Sequence, residues 1–148
     1  MKSKVKIILL ATSCLLVIAS ASIGYYFINK GPVDIRNSAA IKITSNEFYD
    51  QFSIDSTLAL KKFNGKVVEI LGEVNTISVN LQKEKIILLN THTGGAFINC
   101  TMDEDPGNIK PGAQVIIKGL CSGIGQGDED LGIKADVYLT RCFLIKLL

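Results

Sequence analysis

The sequence predicts a mainly β fold: a small closed barrel of five short strands, preceded by an α-helical segment and an N-terminal transmembrane helix. Three observations predict it. From Ile7 to Ile28 the chain runs 22 residues without a charge, long enough to span the hydrocarbon core of a bilayer. At Thr44 a Thr-x-x-Glu signature opens a stretch of helical periodicity that closes at Asn64-Gly65. Beyond Gly65 the apolar period shortens from about 3.6 to 2, interrupted only by turn-forming clusters.

The N-terminal segment reads as an anchor over residues 1–28. Lys2, Lys4 and Lys6 crowd the flank before the apolar run, and Tyr25, Tyr26 and Phe27 form an aromatic belt at its other end, ahead of the polar "NKGP". Positive charge keeps a flank in the cytoplasm, and aromatic rings settle at the interface. This places the N-terminus in the cytoplasm and the remaining domain outside, in the periplasm or on the outer face. Two other readings remain open. A cleaved signal peptide would use the small residues "ASAS" at 19–22, although its apolar region is normally only about 7–15 residues. Lipidation would fall on Cys14, although Ala11 stands three residues before it and the apolar run continues past it.

Setting the anchor aside changes the charge balance. The whole chain carries 16 basic and 14 acidic side chains, a net +2. Three of the lysines belong to the flank, so the rest of the chain holds 13 basic against 14 acidic groups. Nucleic-acid affinity comes largely from neutralising phosphates with a basic excess, and none is present. A nucleic-acid partner is therefore unexpected.

Residues 29–43 read as a juxtamembrane linker that becomes extended near its end, and residues 44–148 as the folded domain. In "TSNEFYDQF" the Thr44 hydroxyl and the Glu47 carboxylate, three residues apart, suit a capping box. Phe48, Phe52 and Tyr49 then mark an apolar face. The pattern resumes in "SIDSTLALKKF" with Leu58, Leu60 and Phe63, so a helical hairpin or one kinked helix is expected. "KVVEILGEVNTISVN" alternates as a strand, and Gly72 within it suggests a bulge or sharp bend. "EKIILLNT" and "GGAFINCTM", joined through "THTGG", form a hairpin. "DEDPGNIKPGAQ" is a loop, and "VIIKGLCSG" and "ADVYLTRCFLIK" supply the last two strands.

A bent first strand in a five-stranded set fits a closed barrel, with an SH3-like barrel or a sandwich fragment as rivals. The stretches "YYFINKGPVDI", "FNGKVVEILGEV", "INCTM", "KPGAQVIIKGLCSG" and "DVYLTRCFL" resemble the tRNA_anti-like family. Members of that family are small OB-fold proteins of bacteria, membrane-anchored or lipoprotein-like. The resemblance implies an OB barrel with a binding face on its second and third strands and the adjoining loops. On that face the candidate contact residues are Lys83, Lys85, His92, Phe97, Asn99 and Thr101. One aromatic ring and no basic excess make a poor stacking platform for bases. A protein or glycan partner suits it better. The domain then reads as a binding module of the envelope, or as a structural component of a membrane complex acting through its helix or anchor.

Cys100, Cys121 and Cys142 fall on the third, fourth and fifth strands. Alternation turns Cys100 and Cys121 toward the interior, and Cys142 follows only if a bulge intervenes near Thr140. They read either as small core residues or, in an oxidising compartment, as the source of one bridge. The fourth and fifth strands are neighbours in an OB barrel, so the candidate disulfide is Cys121–Cys142, which leaves Cys100 over. Metal is unexpected, since there is no C-x-x-C pair and His92 is the only histidine. The acidic loops at 103–105 and 128–130 lack calcium-loop spacing. With no catalytic motif and no cofactor signature, an enzyme is not expected.

Overall fold

The computed structural model describes residues 16–25, 34–128 and 130–148. The chain divides into two units, Met1–Val33 and Asp34–Leu148. In the first, residues 16–25 are helical (α1). Most of the expected span, including Cys14, Tyr26 and Phe27, lies outside the described residues. Among those described, no helix is long and apolar enough to cross a membrane.

In the second unit the elements are β1 (Ile41–Thr44), α2 (Ser45–Ile54), α3 (Ser56–Phe63), β2 (Val67–Val79), β3 (Lys85–Asn90), β4 (Phe97–Met102), β5 (Gln114–Ile124) and β6 (Val137–Leu147). The capping box forms as expected. Thr44 Oγ1 accepts from the Glu47 N–H at 3.3 Å, and the Glu47 carboxylate accepts from the Thr44 N–H at 3.2 Å. These bonds to Thr44 hold the Glu47 carboxyl below its usual titration range. The helical stretch is a hairpin, divided at Asp55. That residue ends α2 in an extended conformation and caps α3, its carboxylate accepting from the Leu58 N–H at 2.9 Å. Phe48, Phe52 and Phe63 then meet edge-on or tilted, with ring centroids 5.1 to 6.0 Å apart. Edge-to-face contact of this kind adds roughly 0.5–1.5 kcal/mol per pair beyond the area buried.

The sheet order β1-β2-β3-β4-β6-β5, with β2 also paired to β5, closes a five-stranded barrel and adds one extra strand. Closure depends on β2 serving two partners. Its first half, Val67–Glu73, pairs with β5, and its second half, Val74–Val79, pairs with β3. The register shifts between Val74 and Thr76, just after Gly72. Gly72 itself permits a close approach: a Cβ there would stand 3.1 Å from the Ser45 Cβ and 3.2 Å from Leu89 Cδ1. The last pairing is parallel, β4 against β6.

Along each barrel strand alternate residues point inward, as the period of 2 dictates. Val68, Ile70, Ile87, Leu89, Ile98, Val115, Ile117, Val137 and Leu139 are each 0% exposed. Burying one such aliphatic side chain fully contributes about 1.5–3 kcal/mol. Cys100, Cys121 and Cys142 join them, at 0%, 1% and 0%. Cys142 points inward because β6 carries the expected bulge. Arg141 takes a positive φ of 51°, and the register against β4 shifts between Cys100 and Met102.

Two expectations need correction. The stretch 29–43 does not stay a linker to its end, because the domain begins at Asp34. There the chain turns, with the Ser38 N–H donating to the Asp34 carbonyl at 3.0 Å. Ile35 is 1% exposed. Lys118, outward on β5 yet buried, donates to the carbonyls of Arg36 (2.9 Å) and Ser38. The Arg36 guanidinium lies 4.8 Å above the Phe143 ring and pairs with Glu104. Ile41–Thr44 then forms β1, parallel to β2 along Val68–Leu71. The barrel therefore carries a sixth strand on the edge of β2 that β3 does not reach.

The second correction concerns the thiols. All three are free, and the expected Cys121–Cys142 bridge is not formed. The bulge in β6 offsets the register, so Cys121 stands opposite Leu139, while Cys142 stands opposite Met102.

Candidate functional site

The outward residues of β3, β4 and β6 form a continuous face. The antiparallel pairing sets Ile86 beside Thr101, Leu88 beside Asn99 and Asn90 beside Phe97. The parallel pairing sets Asn99 beside Tyr138. Asn99 is thus flanked by Leu88 and Tyr138 in one row across three strands. Thr76 and Ser78 of β2 extend the face beyond Leu88 and Ile86. Ile86, Leu88, Phe97, Asn99 and Thr101 are partly exposed, and Tyr138 is 40% exposed. None of these residues is charged. Two aromatic rings, two aliphatic side chains, amides and hydroxyls offer apolar contact and neutral hydrogen bonding, with nothing to neutralise a phosphate.

The face is also held in place. Asp136, one residue before β6, accepts from the Phe97 N–H at 2.9 Å, tying the start of β4 to the start of β6. Burial raises the Asp136 carboxyl titration, and that hydrogen bond opposes the rise. The Tyr138 ring lies over Gly125, where a Cβ would fall 2.8 Å from Tyr138 Cε2. Ser122 and Thr140 hydroxyls meet at 3.0 Å between β5 and β6.

Of the residues expected from sequence, Phe97, Asn99 and Thr101 come together here. The others do not join them. Lys83 (φ 66°) sits in the β2–β3 turn and Lys85 opens β3, beside Asp103, Glu104 and Asp105. Lys85 Nζ donates to Asp105 at 2.7 Å and to the Gly107 carbonyl at 3.4 Å. This contact and the Gly107 N–H lower the Asp105 titration. The lysine is thus committed to an acidic loop. His92 lies past the opposite end of β3, with Nε2 3.1 Å from Asp50 of α2. It borders a separate cleft of about 340 Å³, lined by Thr44, Ser45, Glu73, Asn90 and Gln114 among others. Glu73 there accepts from Asn90 at 3.0 Å.

Tyr138 and Leu88 were missed from the sequence. Alternation in "ADVYLTRC" turns Tyr138 outward once Val137 and Leu139 point in, but its place beside Asn99 follows only from the parallel pairing. Large apolar side chains also stand out on the two loops at the ends of this sheet. Val79 and Leu81 lie at the β2–β3 turn, Leu81 being 98% exposed, and Leu131 and Ile133 lie between β5 and β6. Among the described residues, no cluster of His, Cys, Asp and Glu could hold a metal ion.

A family model described as tRNA_anti-like matches residues 1–130. The match takes in the helical hairpin and β1 to β5 and stops before β6, so the "DVYLTRC" stretch lies outside it. No curated protein matches the chain.

Proposed function

The chain belongs to the tRNA_anti-like family, and from that premise we propose that it is a membrane-tethered binding module of the bacterial envelope, holding a protein or glycan on the β3–β4–β6 face. The observation that carries this reading is the uncharged row Leu88–Asn99–Tyr138, with Phe97 beside it. An amide between an aliphatic and an aromatic side chain can satisfy a neutral polar group while apolar surface is buried on both sides. A phosphate backbone would need cations, and Lys85 is already engaged by Asp105. The apolar run Ile7–Ile28 and its lysine flank support a tether with the barrel outside the cytoplasm.

A second reading has its own support. Ile54 and Leu58 are 83% and 61% exposed at the corner of the helical hairpin, beside Lys62. That apolar corner would suit a structural component seated in a larger membrane complex.

Photo-crosslinking residues placed one at a time at Asn99, Tyr138, Leu58 and, as a control, Lys66 separate the two, using the full chain in its native membrane. Capture through positions 99 and 138 alone supports the barrel face. Capture through position 58 alone supports the assembly role. Tight oligonucleotide binding that collapses with salt would reject both.

A further inference from the structure

On one edge of β2 the β1 ladder ends at Leu71, and the β3 ladder begins only at Val74. Gly72 and Glu73 stand in that gap, and the cleft of about 340 Å³ opens over them, between the start of α2 and the end of β3. Without a side chain at Gly72 the helix can come close, so that a Cβ there would stand 3.1 Å from Ser45 Oγ. Ser45 is 5% exposed, and its hydroxyl has no hydrogen-bond partner among the described residues. A hydroxyl so deeply placed ordinarily finds a partner, because leaving the bond unmade costs free energy. Among the described residues no polar side-chain atom is both sealed from solvent and unpartnered. The Ser45 hydroxyl is therefore open at the cleft it lines, as both a donor and an acceptor.

Groups of matching chemistry surround it. The Glu73 carboxylate accepts from the Asn90 amide at 3.0 Å, which orients it at the wall of the cleft. Asn46 and Gln114 bring two more amides, and Leu71, 39% exposed, adds an aliphatic surface. None of the lining residues is Lys or Arg. An anion would meet Glu73 there, with the single imidazole, His92, already turned to Asp50. A ring bearing several hydroxyls meets what it needs. It finds a carboxylate to accept from it, amides and a hydroxyl to donate and accept, and an aliphatic side chain for its C–H face.

We propose that this cleft is a carbohydrate site, taking one neutral pyranose residue with its hydroxyls on Glu73 and Ser45. The volume stands at the lower end of the roughly 300–1,000 Å³ usual for small-ligand pockets, which suits one ring better than a chain. The site is distinct from the Leu88–Asn99–Tyr138 row and does not rest on the reading of that face.

The test uses the full chain, isotope-labelled, in a detergent without a sugar head group. Amide spectra are recorded while the methyl pyranosides of glucose, galactose, mannose and N-acetylglucosamine are each raised to high millimolar concentration. Expected with at least one is a saturable shift of the Ser45, Asn46, Gly72 and Glu73 amides. Ser45→Ala should weaken that affinity about three- to tenfold. Glu73→Gln, which keeps an acceptor for Asn90, should weaken it roughly tenfold or more. Gln114→Ala, at an exposed position, should weaken it without touching the fold, and Lys66→Ala, also exposed, should leave it unchanged. Amides outside the cleft report whether each variant is folded. Absence of a saturable shift with all of these sugars would overturn the site. So would undiminished affinity in folded Ser45→Ala and Gln114→Ala, or a stronger response of the same amides to ethanolammonium or inorganic phosphate. Sugar shifts confined to Asn99 and Tyr138 would overturn it too, while leaving the sheet face standing as the glycan surface.

Discussion

Gly119→Ala tests the packing around the thiols most directly. The new methyl would stand 2.5 Å from Cys142 Sγ, 3.4 Å from Leu139 Cβ and 3.4 Å from the Thr140 carbonyl oxygen. Gly119 is not among the positive-φ glycines, so alanine meets no backbone strain there. Replacing glycine at a compatible position ordinarily stabilises by about 0.4–1 kcal/mol through the unfolded chain. Against that stands overpacking of a closed interior, typically about 1–3 kcal/mol. The overlap with sulfur is deep and Cys142 is 0% exposed, so the second effect wins, and we expect a net loss of roughly 1–2 kcal/mol. At the usual conversion for a domain of this size, the melting temperature falls by about 4–8 °C. Cys142→Ala alone should cost about 1–2 kcal/mol through the void it leaves. In the double variant the alanine methyl of residue 119 occupies that void, so the losses should fall short of additive by about 1 kcal/mol or more. Chemical denaturation of wild type, both single variants and the double completes the cycle. Strictly additive losses, or a Gly119→Ala variant as stable as wild type, would refute the account.

Other positions give simpler outcomes. Lys118→Met leaves the Arg36 and Ser38 carbonyls without their buried donor and should cost about 1–3 kcal/mol, with trypsin cutting after Arg36 faster than in wild type. Asp136 has its carboxyl titration raised in the folded state, so the fold binds that proton more tightly than the unfolded chain. Its contribution to stability is therefore most favourable below the unfolded carboxyl range and declines as pH rises through the folded value. Asp136→Asn keeps an acceptor for the Phe97 N–H, so it should remove that decline and match or exceed wild type at neutral pH, as urea midpoints measured across the acidic range would reveal. Asp55→Ala removes the α3 cap at Leu58 and should cost about 1 kcal/mol by denaturant titration.

The sequence discloses what is local and periodic. Thr44 and Glu47 cap a helix through contacts three residues apart, and such a pattern can be read directly. Alternation turned Cys100 and Cys121 inward, where the structure has them, and the oddity of Cys142 in that alternation pointed to the bulge near Thr140. What escaped reading depends on distant partners. Ile41–Thr44 is a strand because β2 offers it an edge, not because four residues declare one. Ile35 is buried, and Lys118 finds its acceptors, because the chain turns back on itself at Asp34. Asp55 ends one helix and caps the next, although the apolar rhythm runs through it without a break. Lys85 looked available for a ligand until the fold brought Asp105 to it from twenty residues away.

One property of β6 bears on how the domain is made. In space it lies between β4 and β5, yet in sequence it follows both. Until it pairs, β4 has an open edge on one side and β5 has one on the other. Neither can be closed by a hairpin with a preceding strand. Before β6 docks, the domain therefore holds two unsatisfied β edges and an open cysteine-bearing interior. Such edges invite pairing with other chains, so the domain is most vulnerable before β6 docks, when a protecting factor would be of most use.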